Sequence, residues 1–127
     1  MFENLDVFRM SAALAQHAGQ RQAVVAQNVA NADTPGFVAR DLPDFQTVYA
    51  PAGDSSLQRA TRAGHLNGVF AGQSAPMIRT PGDGSPNGNQ VSLETEILKS
   101  VEAKRQHGRA IAIYKSSLSV LRSTLSK

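Results

Sequence analysis

Three histidines, two glycine-flanked acids and a run of cations are the residues here whose types could do chemistry. His17, His65 and His107 would serve as bases or metal ligands. They lie one in each third of the chain, and none stands at ligand spacing from an acid or another histidine. A lone histidine beside a helical face is ordinarily a packing or surface residue. Gly53-Asp54-Ser55 offers an exposed hydroxyl, but in a Pro/Gly/Ser stretch without the strand–turn–helix context that sharpens a nucleophile. Gly82-Asp83-Gly84 lacks the lysine and the flanking strand of a phosphate loop. No two carboxylates share a helical face in the manner of acid–base catalysis. The absence of cysteine excludes thiol catalysis, Cys-ligated zinc and a disulfide scaffold. The chain reads as a non-enzyme that needs neither cofactor nor metal.

Residues 103–127 carry six cations (Lys104, Arg105, Arg109, Lys115, Arg122, Lys127) and no acid, within a net charge of +3. Such a run would suit nucleic acid or an anionic surface, which makes a basic helical nucleic-acid-binding module the alternative reading. The cations fall between apolar positions, however, and near a C-terminus they complement the negative end of a helix dipole. A solvated helix face is the better account.

The elements that would position these groups come in three parts. All six prolines lie between Pro35 and Pro86, and eight of the ten glycines between Gly36 and Gly88. Proline costs about 3 kcal/mol inside a helix, so the proline-free flanks are where helices belong. Residues 3–32 are rich in Ala, Gln, Leu and Arg. Leu5, Phe8, Ala12 and Ala15 form one stripe at helical spacing, and Leu14, Ala18, Val25 and Val29 continue an apolar face, with Arg21 or Gln22 at the missing turn.

The last flank, about 92–127, is more regular. Ile97, Lys104, Ile111, Leu118 and Leu125 recur every seven residues. Leu93, Ser100, His107, Tyr114 and Leu121 form a second series three or four residues away, so the two read as heptad a and d positions. Its second half is a clean apolar seam, while Ser100, Lys104 and His107 make the first half polar. Ser92 is placed to cap this helix, with Glu94 and Glu96 at its positive end. A helix of this length and amphipathicity needs a partner.

The expected fold is therefore all-α: long N- and C-terminal helices in a coiled-coil-like pair, joined by an irregular Pro/Gly-rich middle. Residues 1–34, 35–90 and 91–127 are the three parts of one domain, since 127 residues leave no room for two cores. Within the middle, Phe45-Gln46-Thr47-Val48-Tyr49 alternates with period two and, with Val69-Phe70, reads as a brief strand or a docking patch. Small apolar residues dominate, with only 6% aromatics, so a dense core calls for association. The N-terminus has neither the basic nor the apolar region of a cleaved secretory signal, and no apolar run approaches a membrane span.

One segment is punctuated with unusual care: Asn28-Val29-Ala30-Asn31-Ala32-Asp33-Thr34-Pro35-Gly36-Phe37. Asn28 and Asn31 bring amides to a helix end, Pro35 bars helical geometry at Thr34, and Pro-Gly favours a tight turn with a left-handed glycine. Phe37 supplies an apolar anchor beyond it. This Asn-rich helix end followed by Thr-Pro-Gly-Phe resembles the flagellar axial proteins of the rod and hook. The approach to the second helix, Asn87 through Glu96, is similar to that family's Gly-Asn-x-Val-x-Leu-Glu-x-Glu pattern. Ile113-Tyr114-Lys115 and Val120-Leu121-Arg122-Ser123 are similar to its C-terminal helix. The resemblance covers about residues 1–45 and 87–127 and is best among the short proximal rod subunits, with Ile97 standing where methionine is usual.

The resemblance implies a structural subunit of the flagellar basal body, exported by the flagellar type III apparatus into the periplasmic rod. It implies polymerisation with copies of itself and with other rod and axial proteins, transmitting torque from motor to hook. It implies neither nucleic acid nor a membrane span. Another short rod protein of the same family is the near alternative. The residues expected to carry assembly are Leu14, Val25, Asn28, Val29, Asn31, Thr34, Pro35, Gly36 and Phe37 around the first helix. On the second they are Ile97, Ile111, Tyr114, Leu118, Leu121 and Leu125.

Overall fold

The computed structural model describes residues 2–49, 76–82 and 84–125, with side chains from Asp6 onward. The fragments Gly53-Asp54-Ser55 and Val69-Phe70, His65, Asp83 and Lys127 lie outside the described residues, as does most of the 51–90 stretch between Ala50 and Ala75. Two helices dominate, α1 (Phe2–Ala30) and the C-terminal helix (Leu93–Leu125). Between them come strand β1 (Arg40–Asp41), the one-turn helix α2 (Phe45–Val48) and strand β2 (Ile78–Arg79). The C-terminal helix is thus α3. At 1.5 Å per residue the long pair spans about 44 and 50 Å.

The long helices pack antiparallel, as paired contacts show. Asn28 meets Glu96, Gln22 meets Ser100 and Phe8 meets Tyr114, so positions descend along α1 as they ascend along α3. The partner that the amphipathic α3 demanded is therefore supplied first within the chain. Its seam coincides only in part with the apolar heptad. Glu96, Ala103, Ala110 and Ser117 recur on it at spacing seven, with Lys99, Gln106 and Ile113 three residues on, and Ser100, Leu118 and Leu121 of the heptad series are half-buried beside them. On α1 the facing series are Ser11, Ala18 and Val25, and Leu14, Arg21 and Asn28. Ala103 and Ala110 are 1% and 0% exposed. Alanine on the seam brings the two backbones close at little cost in side-chain entropy.

The middle is organised by short pairings. β1 and β2 run antiparallel with Arg40 opposite Arg79 and Asp41 opposite Ile78, and Thr80 N donates to Ala39 O at 2.9 Å. On its other side the same stretch bridges in parallel through Val38 and Gln90, with Gln90 N donating to Phe37 O. The strand expected within Phe45–Tyr49 is instead the helical turn α2. Phe45 and Tyr49 stack at 5.0 Å, an i,i+4 pair that a period-two pattern mimics because both periods return at four. His17 donates from Nε2 to Pro43 O at 2.9 Å and meets the Phe45 ring edge-on, so this histidine is a packing residue that pins α2 to α1.

Candidate functional site

Where β1 crosses the helix pair, charged and amide side chains are buried together. Arg21 of α1 grips Asp41 with two hydrogen bonds, Nε to Oδ1 at 3.0 Å and Nη2 to Oδ2 at 3.3 Å. Its remaining branch reaches the exposed Glu102 of α3 at 3.4 Å. Lys99 bridges Asp41 at 3.5 Å and Glu96 at 2.9 Å. Asn28 completes the cluster. Its amide donates to Arg40 O at 2.6 Å and to Glu96 Oε2 at 2.8 Å, while its oxygen accepts from Arg40 N at 3.1 Å. The side chain thus pairs with the Arg40 peptide as a neighbouring strand would. Only this orientation of the amide satisfies both Arg40 and the Glu96 carboxylate.

The cluster ties α1, β1 and α3 into one body, and its charges offset each other. Burial pushes the Asp41 carboxyl up. The Arg21 hydrogen bond, the Leu42 amide and the charges of Arg21 and Lys99 overcome that push and hold it below its ordinary value. The Asp41 hydrogen bond raises Arg21 in turn, against the desolvation that lowers it.

A second clasp closes the end of α1. Thr34-Pro35-Gly36-Phe37 makes a turn in which Phe37 N donates to Thr34 O and Gly36 has φ +72°. This is the left-handed glycine that the Pro-Gly pair predicts. Asn89, 2% exposed, donates to Asn31 O at 2.9 Å and Thr34 O at 2.7 Å, satisfying carbonyls at the helix end. Its own oxygen accepts from Val91 N. Gly88, also left-handed, packs its α-carbon against Gly36, where an added Cβ would stand 3.5 Å from the Gly36 Cα. Ser92 holds the start of α3 as expected, its hydroxyl 3.5 Å from the Thr95 amide.

The residues expected to carry assembly divide into two sets. Val25 and Asn28 are buried against the rest of the chain, and Leu14, Asn31, Phe37, Leu118 and Leu121 are half-buried. Thr34, Pro35 and Gly36 form an exposed knob. Val29, Ile97, Ile111, Tyr114 and Leu125 are exposed at 42%, 59%, 37%, 42% and 80%. Among the described residues no group of acids and histidines is placed to hold a metal ion, and no helix is long and apolar enough to cross a membrane.

Comparison with known proteins places this arrangement. A family model described as "Flagella basal body rod protein" matches residues 9–37, the stretch holding Arg21, Asn28 and the Thr-Pro-Gly turn. The flagellar basal body rod protein FlgB of Agrobacterium fabrum is 29% identical over 116 residues, covering 88% of this chain and 87% of that one. FlgB of Cereibacter sphaeroides is 30% identical over 102 residues, covering 80% and 79%. FlgB of Yersinia ruckeri is 34% identical over 94 residues, covering 61% and 62%. The chain belongs to the flagellar basal body rod protein family. It is a structural subunit of the flagellar rod, as the helix-end motif implied.

For this rod subunit, the residues that hold the fold were only partly visible in the sequence. Glu96 reads as a dipole partner at a helix start, yet it is 1% exposed and bonded to Asn28 and Lys99. Asp41, Lys99 and Asn89 carry no sequence signal of burial. The signal that would have found the seam is the spacing-seven recurrence of small and polar residues, Ser11-Ala18 and Ala103-Ala110-Ser117.

The depressed Asp41 carboxyl predicts an acid response. A group with its folded pKa below the unfolded value of 3.8 contributes stability above that pH. The contribution is lost as pH falls through the folded value. Thermal melts of the rod subunit at descending pH should therefore fall more steeply below about pH 4 for the wild type than for Asp41→Asn. Parallel slopes would show that Asp41 is not linked to folding.

Proposed function

We propose that this subunit builds the proximal part of the periplasmic rod and passes torque from motor to hook by polymerising through its long helices. The observation that carries the reading is the outer face of α3. Leu93, Ile97, Leu98, Val101, Ile111, Val120 and Leu125 are exposed along α3, although α1 already occupies the inner seam. A monomer has no reason to leave such a run of apolar side chains in water, and copies stacking against it would bury them. The exposed heptad positions Leu93, Ile97, Ile111 and Leu125 are thus an intermolecular surface, beside the small-residue seam within the chain. The relatives named as flagellar basal body rod protein FlgB support the rod reading.

Deleting residues 112–127 removes Tyr114, Leu118, Leu121 and Leu125 while leaving the cluster around Arg21 and Asp41 whole. The truncated chain is expected not to restore swimming to a strain lacking its rod subunit, although the chain accumulates. Swimming restored by the truncation would refute assembly through the second half of α3.

A further inference from the structure

The polar half of the α3 heptad has a structural counterpart. Lys104 and His107 line a groove of about 410 Å³ with Ala103, and α1 supplies its other wall from Ala18, Gly19 and Gln22. Gly19 lies mid-helix, where glycine is unfavourable relative to alanine. Among the described residues, and apart from its own helical turn, nothing lies within 4 Å of where its Cβ would stand. The chain's own packing therefore does not require glycine at this position, and the groove stays open because no side chain fills it.

An exposed knob lies away from this groove, just beyond the C-terminal end of α1. Asp33, Thr34, Pro35 and Gly36 are all exposed, and Asn89 holds their backbone rigid through Asn31 O and Thr34 O. Asp33 is acidic, whereas α3 from Ala103 onward has cations and no acid. Gly19 is eleven residues from the end of α1, roughly 16 Å along the axis, so a copy cannot seat its own turn in its own groove. We propose that the groove receives the Asp33–Gly36 turn of a second copy, with Asp33 beside Lys104 and His107. Such a contact joins two different patches, head to tail. Repeated without closing, it generates an open helical filament. A preorganised turn loses little entropy on docking. The inference rests on the rod-subunit reading and names the axial contact within it.

The test is sedimentation of the full chain across a salt series. The wild type is expected to self-associate at low salt and less as salt rises. Asp33→Lys and Lys104→Glu should each weaken association by roughly fivefold or more. Mixing the two variants should restore it, since each supplies the charge that the other's turn or groove lacks. Gly19→Leu should raise helix content, leucine being the better helix former, and abolish association by filling the groove. The inference is overturned if the wild type does not associate, if either reversal or Gly19→Leu associates like the wild type, or if mixing restores nothing. Association with another rod subunit alone, and not with a second copy, overturns it too. If the wild type restores swimming and Gly19→Leu does so equally, the docking geometry fails while the rod-subunit reading stands.

Discussion

Asp41→Ala is expected to lower the free energy of unfolding by about 3–5 kcal/mol, seen as an early loss of helix signal in urea. The size follows from what the substitution leaves behind. Arg21 would keep two buried donors without an acceptor, Lys99 would keep only Glu96, and the Leu42 amide would lose its 2.8 Å partner. Uncompensated buried charge costs far more than an ion pair gains. Glu102 is the internal control. Its side chain is 59% exposed and bonded to the same guanidinium, so Glu102→Ala should cost at most about 1 kcal/mol. The double variant Arg21→Met/Asp41→Leu should be more stable than Asp41→Ala, because it removes both halves of the pair and leaves Lys99 with Glu96. If Asp41→Ala and Glu102→Ala prove equal, the cluster does not hold β1 to the helices.

That cluster also marks where the sequence stops being legible. The two long helices, the break at Pro35 and the left-handed Gly36 all follow from local rules about proline, glycine and helix formers, and they appear where those rules place them. The seam between the helices does not, because hydrophobicity is the wrong property to search. Glu96, Lys99, Arg21 and Asn28 are polar residues whose burial depends on partners 20 to 81 positions away. Nothing local distinguishes them from a solvated face. Likewise β1 exists because Ile78–Arg79 returns to it, a pairing no turn signal announces. In the candidate site, the residues of the Asn28–Phe37 segment do two kinds of work. Asn28 and Asn31 serve the chain's own fold, and Thr34 to Gly36 are presented to solvent. Of the apolar heptad, Leu93, Ile97, Ile111 and Leu125 face solvent, while Leu118 and Leu121 are half-buried.

The division between the two faces of α3 makes neighbouring substitutions act in opposite ways. Ala110 is 0% exposed at the inner seam, and Ile97 is 59% exposed on the outer face. Ala110→Leu forces three extra carbons between closely packed backbones, and α1 must move or the side chain must leave its preferred rotamer. The expected cost is about 1–3 kcal/mol, a fall of roughly 3–5 °C in melting midpoint per kcal/mol for a chain of this size. Ile97→Asp removes apolar surface that the monomer does not bury and places an acid near the positive end of α3. Its stability should stay within about 0.5 kcal/mol of the wild type. In cells the order reverses. Ile97→Asp should accumulate normally yet fail to restore swimming, because a charge on the outer face must be desolvated when copies stack. Ala110→Leu should restore swimming in proportion to the folded protein that remains. A swimming Ile97→Asp strain would mean that the outer apolar face is not where the rod assembles.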